Sequence, residues 1–341
     1  MLKRLLHYSW PLLLGVAAVL AADVPTTITL IVAAIAYAVL ILMRNQSLTR
    51  IMTELTDLIA GHRNPAPSSS TLDRSLLRLH RHLLILAAAA ELLVFLVCVL
   101  GNLDVTVARN YALLIIVALA TLGLEMELAV LVRGRRKRST ESVHTALSYA
   151  TEDAYALLTI VILSLAGTLF LHIPPALSAL QIVFITCLSR PILSGSALQT
   201  APHQGDRRWR VFFVSAIVYG SFVFFFIRHY LEPRYADVIN PITWQATTMA
   251  MVTFIGCQAI MLAFNPKAPK VIAYRLALLL GTIAAVVYVP FLRNYLMTNT
   301  LTASDWVWAI ISSILFAAFC LIQYHSYQHS RQSVLERASI R

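Results

Sequence analysis

Of the 341 residues, 59% are hydrophobic and only 13% are charged, with a mean hydropathy of +0.74. Soluble domains carry about 25% charged residues, so this composition excludes a water-soluble globular protein and points to an integral membrane protein. The net charge of +11 calls for no nucleic acid: inward-facing basic loops and anionic lipid headgroups account for it, and the bilayer is the first expected partner.

Ten apolar stretches are long enough to cross about 30 Å of hydrocarbon as helices. They lie near 5–22, 25–43, 82–101, 110–133, 154–172, 177–196, 211–228, 247–264, 271–289 and 305–323. No segment alternates as the strands of a barrel do. The expected fold class is therefore an all-α integral membrane protein, a single transmembrane domain over 1–341 with ten helices. The first stretch, "MLKRLLHYSWPLLLGVAAVLAADVP", also has the basic start, apolar middle and small residues of a cleavable leader. Against cleavage, only Asp23 and its neighbours separate it from the second span, as in a tight helical hairpin.

Span two runs on through "RNQSLTRIMTELTDLIAG" with Ile51, Leu55 and Leu58 at helical spacing, which predicts an amphipathic extension into the cytoplasm. The segment 44–81 that follows carries the Pro and Ser of a flexible linker in "GHRNPAPSSS". Span four ends in the cluster Arg135, Arg136, Lys137 and Arg138, read as a topology anchor or lipid contact. The link 134–153 leaves no room for a folded domain, which needs about 50 residues. Apart from Arg190 within span six, every Lys and Arg except Arg109, Arg228, Arg234 and Arg293 falls on one side of this layout. That bias places both termini in the cytoplasm and the protein in the plasma membrane. The four cysteines fall within spans and show no CxxC spacing, so neither a disulfide nor a thiolate metal site is expected. His325 and His329 in the tail are too few to define a metal site.

The order of spans and several local sequences resemble the membrane domain of P-type cation-transporting ATPases. "LHIPPALSALQIVFI" is similar to the family's link between its fifth and sixth helices. "TTMAMVTFIGCQAIMLAFN" is similar to its eighth helix, "VYVPFLRNYLMTNTLTASDW" to its ninth-to-tenth connection, and "TLGLEMEL" stands where the family has its PEGLP helix break. The family's actuator domain would fall at 44–81 and its phosphorylation and nucleotide domains at 134–153, where this chain has short links. The motifs DKTGT, TGE and GDGxND are absent from the sequence. Phosphoryl transfer needs positioned acids and Mg²⁺, and these loops supply neither. The resemblance thus implies a P-type membrane domain without its motor: no ATP binding, no cofactor and no enzymatic activity.

Carried over residue by residue, the resemblance places Glu125 at the PEGLP acid, but Leu124 and Leu128 replace the flanking prolines, so nothing obliges the helix to unwind there. It places Thr186, Ser189 and Arg190 at the Asn, Thr and Asp positions of the sixth helix, Val161 at the acidic position of the fifth, and Gln258 at a polar position of the eighth. Charges within a bilayer cost about 2.5–3.5 kcal/mol and want partners. The expectation is an ion pair between Arg190 and Glu125 or Glu127, in one layer with Glu91. Glu125 and Glu127 point about 200° apart on a helix, so only one can answer Arg190. Interhelical hydrogen bonding is the ordinary role for Gln258, Thr186 and Ser189. Two functions are consistent with this pattern: a non-catalytic scaffold, regulatory subunit or partner of another membrane protein, and a passive ion or proton transporter. A split pump with detached cytoplasmic domains ranks behind both.

Overall fold

Long apolar runs in lipid must satisfy their backbone groups internally, which restricts them to helices or closed barrels. In the computed structural model the residues described are 9–21, 23–59, 69–101, 103–134, 140–189, 207–230, 239–263 and 269–339, and helices are the regular structure throughout them. The helices are α1 (Ser9–Leu20), α2 (Val24–Ile59), α3 (Ser69–Leu100), α4 (Val105–Gly134), α5 (Thr140–Leu171), α6 (Ala179–Val183), α7 (Arg207–Tyr230), α8 (Ile239–Ala263), α9 (Pro269–Tyr288), α10 (Pro290–Tyr295) and α11 (Ala303–Ser339). A π-helical turn, Phe184–Ser189, continues α6.

Among the described residues, four segments are long and apolar enough to cross a membrane: Val24–Ile41, Glu152–Leu171, Arg208–Arg228 and Ala303–Gln323. Four shorter apolar helices, Trp10–Leu20, Leu84–Leu100, Val105–Thr121 and Ala273–Tyr288, coincide with other expected spans. The sixth and eighth expected spans are different. The sixth is described only as far as Ser189, as α6 and its π turn. The eighth, α8, is a helix of 25 residues rich in Thr and Gln and buried almost throughout from Ile242 to Gln258. A helix screened from lipid by its neighbours needs less apolar surface, because its polar groups find partners within the protein.

The chain forms two compact units, Met1–Thr151 and Glu152–Arg341. In the first, α4 packs against α1, α2 and α3 and is buried from Leu113 through Leu124 at nearly every position, as expected of a helix apolar on all sides. Its centre is Gly123, where an added Cβ would lie 2.8 Å from the Tyr37 hydroxyl and 3.2 Å from Trp10 Cγ. Trp10 and Tyr37 are both fully buried, so this glycine sets how closely α1 and α2 approach α4. Asp23 caps α2 by accepting from the Thr26 amide at 2.9 Å, which closes the short α1–α2 turn expected from the sequence.

The 36 residues of α2 span about 54 Å at 1.5 Å per residue, well beyond a hydrocarbon core. The helix ends at Ile59, so the extension expected from Ile51, Leu55 and Leu58 is present. In the second unit α8 packs on α7, α9, α11 and the π turn, and α7 on α11. Phe213 stacks on Phe319 with centroids 4.1 Å apart, and Phe224 meets Trp308 at 4.9 Å. Glycine permits a close helix contact at Gly167, where a Cβ would strike the Tyr219 hydroxyl.

Candidate functional site

The first sequence-predicted site residue, Glu125, lies on α4, which continues as unbroken α-helix to Gly134. With leucine in place of both prolines the helix keeps its i→i−4 bonds, and the structure shows no unwound carbonyls at this point. Glu127 shares the same helix. The side chains of both acids lie outside the described residues, as do Arg190, Arg135, Arg136, Lys137 and Arg138 and the side chain of Ser189. The expected pair between Arg190 and one of the acids therefore falls outside what the structure describes.

Glu91 is described. It stands on the α3 face that also carries Ala87, Ala90, Val94 and Cys98, all buried, and α3 packs on α4. Its Oε1 is buried without a hydrogen-bond partner among the described residues. The expectation that it shares a layer with Glu125 concerns a side chain outside the described residues.

In the second unit Thr186 is buried on the π turn and donates to Ile182 O at 2.8 Å. Its hydroxyl serves its own helix, bonding the carbonyl one turn back. Gln181, fully buried, forms a capping box with Ser178 and donates from Nε2 to Thr247 Oγ1 at 3.2 Å. This ties the start of α6 to α8.

Gln258, the remaining predicted residue, leads to the polar cluster that sequence reasoning missed. Its Nε2 donates to Asp153 Oδ2 at 3.0 Å. Next to Asp153, Glu152 accepts from Arg210 at 3.3 Å, and the side chains of Arg210 and Glu152 are only 9% and 14% exposed. Glu152 and Arg208 open the apolar stretches of α5 and α7, so consecutive acids part-way along α5 meet an arginine on the first turn of α7. The α5–α7 contact continues one turn deeper, where Ser215 Oγ donates to Ala156 O at 3.2 Å. The signal was present in "TEDAY" before span five and "RRWR" before span seven. Each lies just outside an apolar stretch, where charge reads as part of a loop rather than as one side of a buried pair.

A second polar group closes the opposite end of this unit. Asp305, 1% exposed, accepts from Gln245 Nε2 at 3.0 Å and from the Thr302 amide at 2.8 Å. Thr298 donates to Val286 O at 2.8 Å, and the Asn299 amide donates to Thr248 Oγ1 at 2.9 Å. Trp306 Nε1 donates to the Tyr288 hydroxyl at 2.7 Å, which donates to Leu301 O at 3.0 Å. This network pins the loop between α9 and α11 onto α8. No group of three His, Cys, Asp or Glu able to hold a metal ion occurs among the described residues.

The geometry is that of an all-helical protein with several helices suited to crossing a membrane. Compared with known proteins, the chain matches no family model and no curated sequence.

Proposed function

We propose that this chain is a non-catalytic plasma-membrane protein with ten spans laid out like the membrane domain of P-type ATPases, both ends cytoplasmic and no ATP-hydrolysing domains. Its role is that of a scaffold or regulatory subunit that binds another membrane protein. The observation that carries this reading is the unbroken helix through Glu125. A cation site of the alternating-access kind uses interrupted helices whose freed carbonyls face the ion, and α4 offers none here. Thr186 and the Gln258 amide nitrogen support it, since both are committed to helix-to-helix or intrahelical bonds. Arg190 at the expected aspartate position adds a positive charge where a transported cation would sit.

A second reading, a passive ion or proton transporter, is favoured by one observation: the buried, unpartnered Oε1 of Glu91. Intramembrane acids are functional by default. Reconstitution separates the two. Proteoliposomes carrying the purified protein, under imposed H⁺, Na⁺, K⁺, Mg²⁺ or Ca²⁺ gradients, are expected to show no flux above protein-free vesicles. Flux that Glu91→Gln or Glu125→Gln abolishes replaces the scaffold with the transporter. The scaffold reading further requires stable co-purification with another membrane protein from native membranes.

A further inference from the structure

The contacts between α7 and α11 supply a depth scale for the second unit. Phe213 stacks on Phe319 at 4.1 Å and Phe224 meets Trp308 at 4.9 Å, and between these contacts the Ser221 and Ser312 hydroxyls lie 3.4 Å apart. Phe213 and Phe224 are eleven residues apart on α7, and Trp308 and Phe319 are eleven apart on α11. The two helices therefore run antiparallel in a constant register. In that register their apolar stretches, Arg208–Arg228 and Ala303–Gln323, end level with each other to within one residue.

Exposed aromatic rings gather at the two ends of this scale. At the start of α7, Trp209 and Phe212 are exposed and meet edge to face at 6.2 Å. At the other end Tyr288 and Trp308 are exposed, and Trp306 Nε1 donates to the Tyr288 hydroxyl at 2.7 Å, which holds the end of α9 level with the start of α11. Trp306 stands opposite Phe226 in the α7–α11 register, seventeen residues or about 26 Å from Trp209. Midway between, the large exposed side chains of α11 are aliphatic: Ile310, Ile311, Ile314 and Leu315. Tryptophan and tyrosine concentrate at the two faces of a hydrocarbon layer about 30 Å thick, where an apolar ring and a polar tip are both satisfied.

The short helix α10 follows Tyr288 at this level. Phe291 is 76% exposed and stacks on Tyr295 with centroids 6.3 Å apart. The Tyr288 hydroxyl donates to Leu301 O at 3.0 Å, and Thr298 donates to Val286 O at 2.8 Å, so the connector is tied to the helix ends it joins. Arg293 is the one charged residue from Tyr288 to Leu301. Rings beside a single positive charge fit the boundary between phosphates and acyl chains: deeper burial would strand the guanidinium, and water would leave the Phe291 ring uncovered.

We propose that α10, with Tyr288, Phe291, Tyr295 and Trp306, is an interfacial anchor that binds phospholipid at the headgroup–acyl boundary of the leaflet opposite Trp209, the outer leaflet in the proposed topology. The anchor rests on the membrane reading of α7 and α11 and not on the scaffold role.

Depth-dependent fluorescence quenching tests it on the full chain in phosphatidylcholine vesicles. Phe291→Trp and Leu315→Trp each add one indole at a position that is 76% and 56% exposed. Subtracting the wild-type emission removes the five native tryptophans. The added emission of Phe291→Trp is expected to be quenched at least about two-fold more by lipid brominated high on the acyl chain than by lipid brominated near the chain end. Leu315→Trp, nine residues or about 14 Å deeper than Trp306, shows the opposite order. If aqueous iodide quenches Phe291→Trp while neither bromolipid does, the connector lies in water and the anchor is overturned with the span intact. Quenching by none of the three means that a second copy covers the ring, which also overturns it. Equal preference of both variants for the deep bromolipid overturns the interfacial depth. Leu315→Trp untouched by either bromolipid overturns the membrane placement itself, and the anchor with it.

Discussion

Removing Arg210 from beside Glu152 tests whether the contact between α5 and α7 there is a buried ion pair or an incidental surface contact. At 3.3 Å and an effective dielectric constant near 20, the gross attraction is about 5 kcal/mol. Desolvating both ions opposes much of this. Arg210→Met removes a charge-assisted hydrogen bond from a carboxylate that is 14% exposed and is expected to cost about 1.5–3 kcal/mol. Glu152→Met strands the guanidinium, with a loss of similar size. The double substitution replaces both ions with packing apolar chains, and its loss should fall short of the sum of the singles by about 1–3 kcal/mol. Equilibrium unfolding in mixed micelles, followed by tryptophan fluorescence, gives the four stabilities. A coupling below about 0.5 kcal/mol, the range of exposed pairs, refutes the assignment of this pair to the protein interior.

Three further outcomes follow from close contacts and turns. Gly123→Ala places a methyl against Tyr37 and Trp10 and should destabilise the first unit by about 1–3 kcal/mol, whereas Gly220→Ala, with nothing within 4 Å, should be neutral or gain up to about 1 kcal/mol from helix propensity; equal melting of the two variants counts against the packing of α1, α2 and α4. Asp305→Ala removes the acceptor for Gln245 and Thr302 and is expected to cost about 2–4 kcal/mol, read as a lower melting temperature, and a wild-type melt would show that the outer network is not a source of stability. Asp104, at the start of α4, has its carboxyl held below the usual range by hydrogen bonds from the Thr106 side chain and backbone. The lowered folded value means its contribution is present above the ordinary aspartate pKa of about 3.9 and is lost as pH falls through the folded value. Asp104→Asn should therefore flatten the acid limb of the melting profile below about pH 4, and an unchanged limb removes that assignment.

Helices were legible where apolar length alone decides structure. Val24–Ile41, Glu152–Leu171, Arg208–Arg228 and Ala303–Gln323 match expected spans within a few residues, and the run of α2 to Ile59 followed from Ile51, Leu55 and Leu58. What periodicity could not supply was where each helix ends relative to its apolar stretch. Thus α3 begins at Ser69 and α4 at Val105, thirteen and five residues before the apolar stretches expected from the sequence. The π turn at Phe184–Ser189 was equally hidden, because nothing in its composition sets it apart from the α-helix that it continues. Glu152 and Asp153 were visible as residues but not as a site, since their meaning depends on which helices they face.

The arrangement of α8 shows how a comparatively polar helix belongs in such a protein. Its side chains that hydrogen-bond to other elements lie at two levels, Gln245, Thr247 and Thr248 at one end and Gln258 at the other, thirteen residues or about 20 Å apart along the axis. At the first level they bond α6, α11 and the loop before α11, and at the second they bond α5. Between them Met249, Ala250, Met251, Val252, Phe254 and Ile255 are buried in apolar packing. Because each level joins α8 to a different element, tilting or sliding the helix must break buried hydrogen bonds at one level to keep those at the other. Each such bond left unmade costs about 1–3 kcal/mol. A helix fixed in this way suits a bundle that presents a constant surface to a partner better than one that alternates between two states.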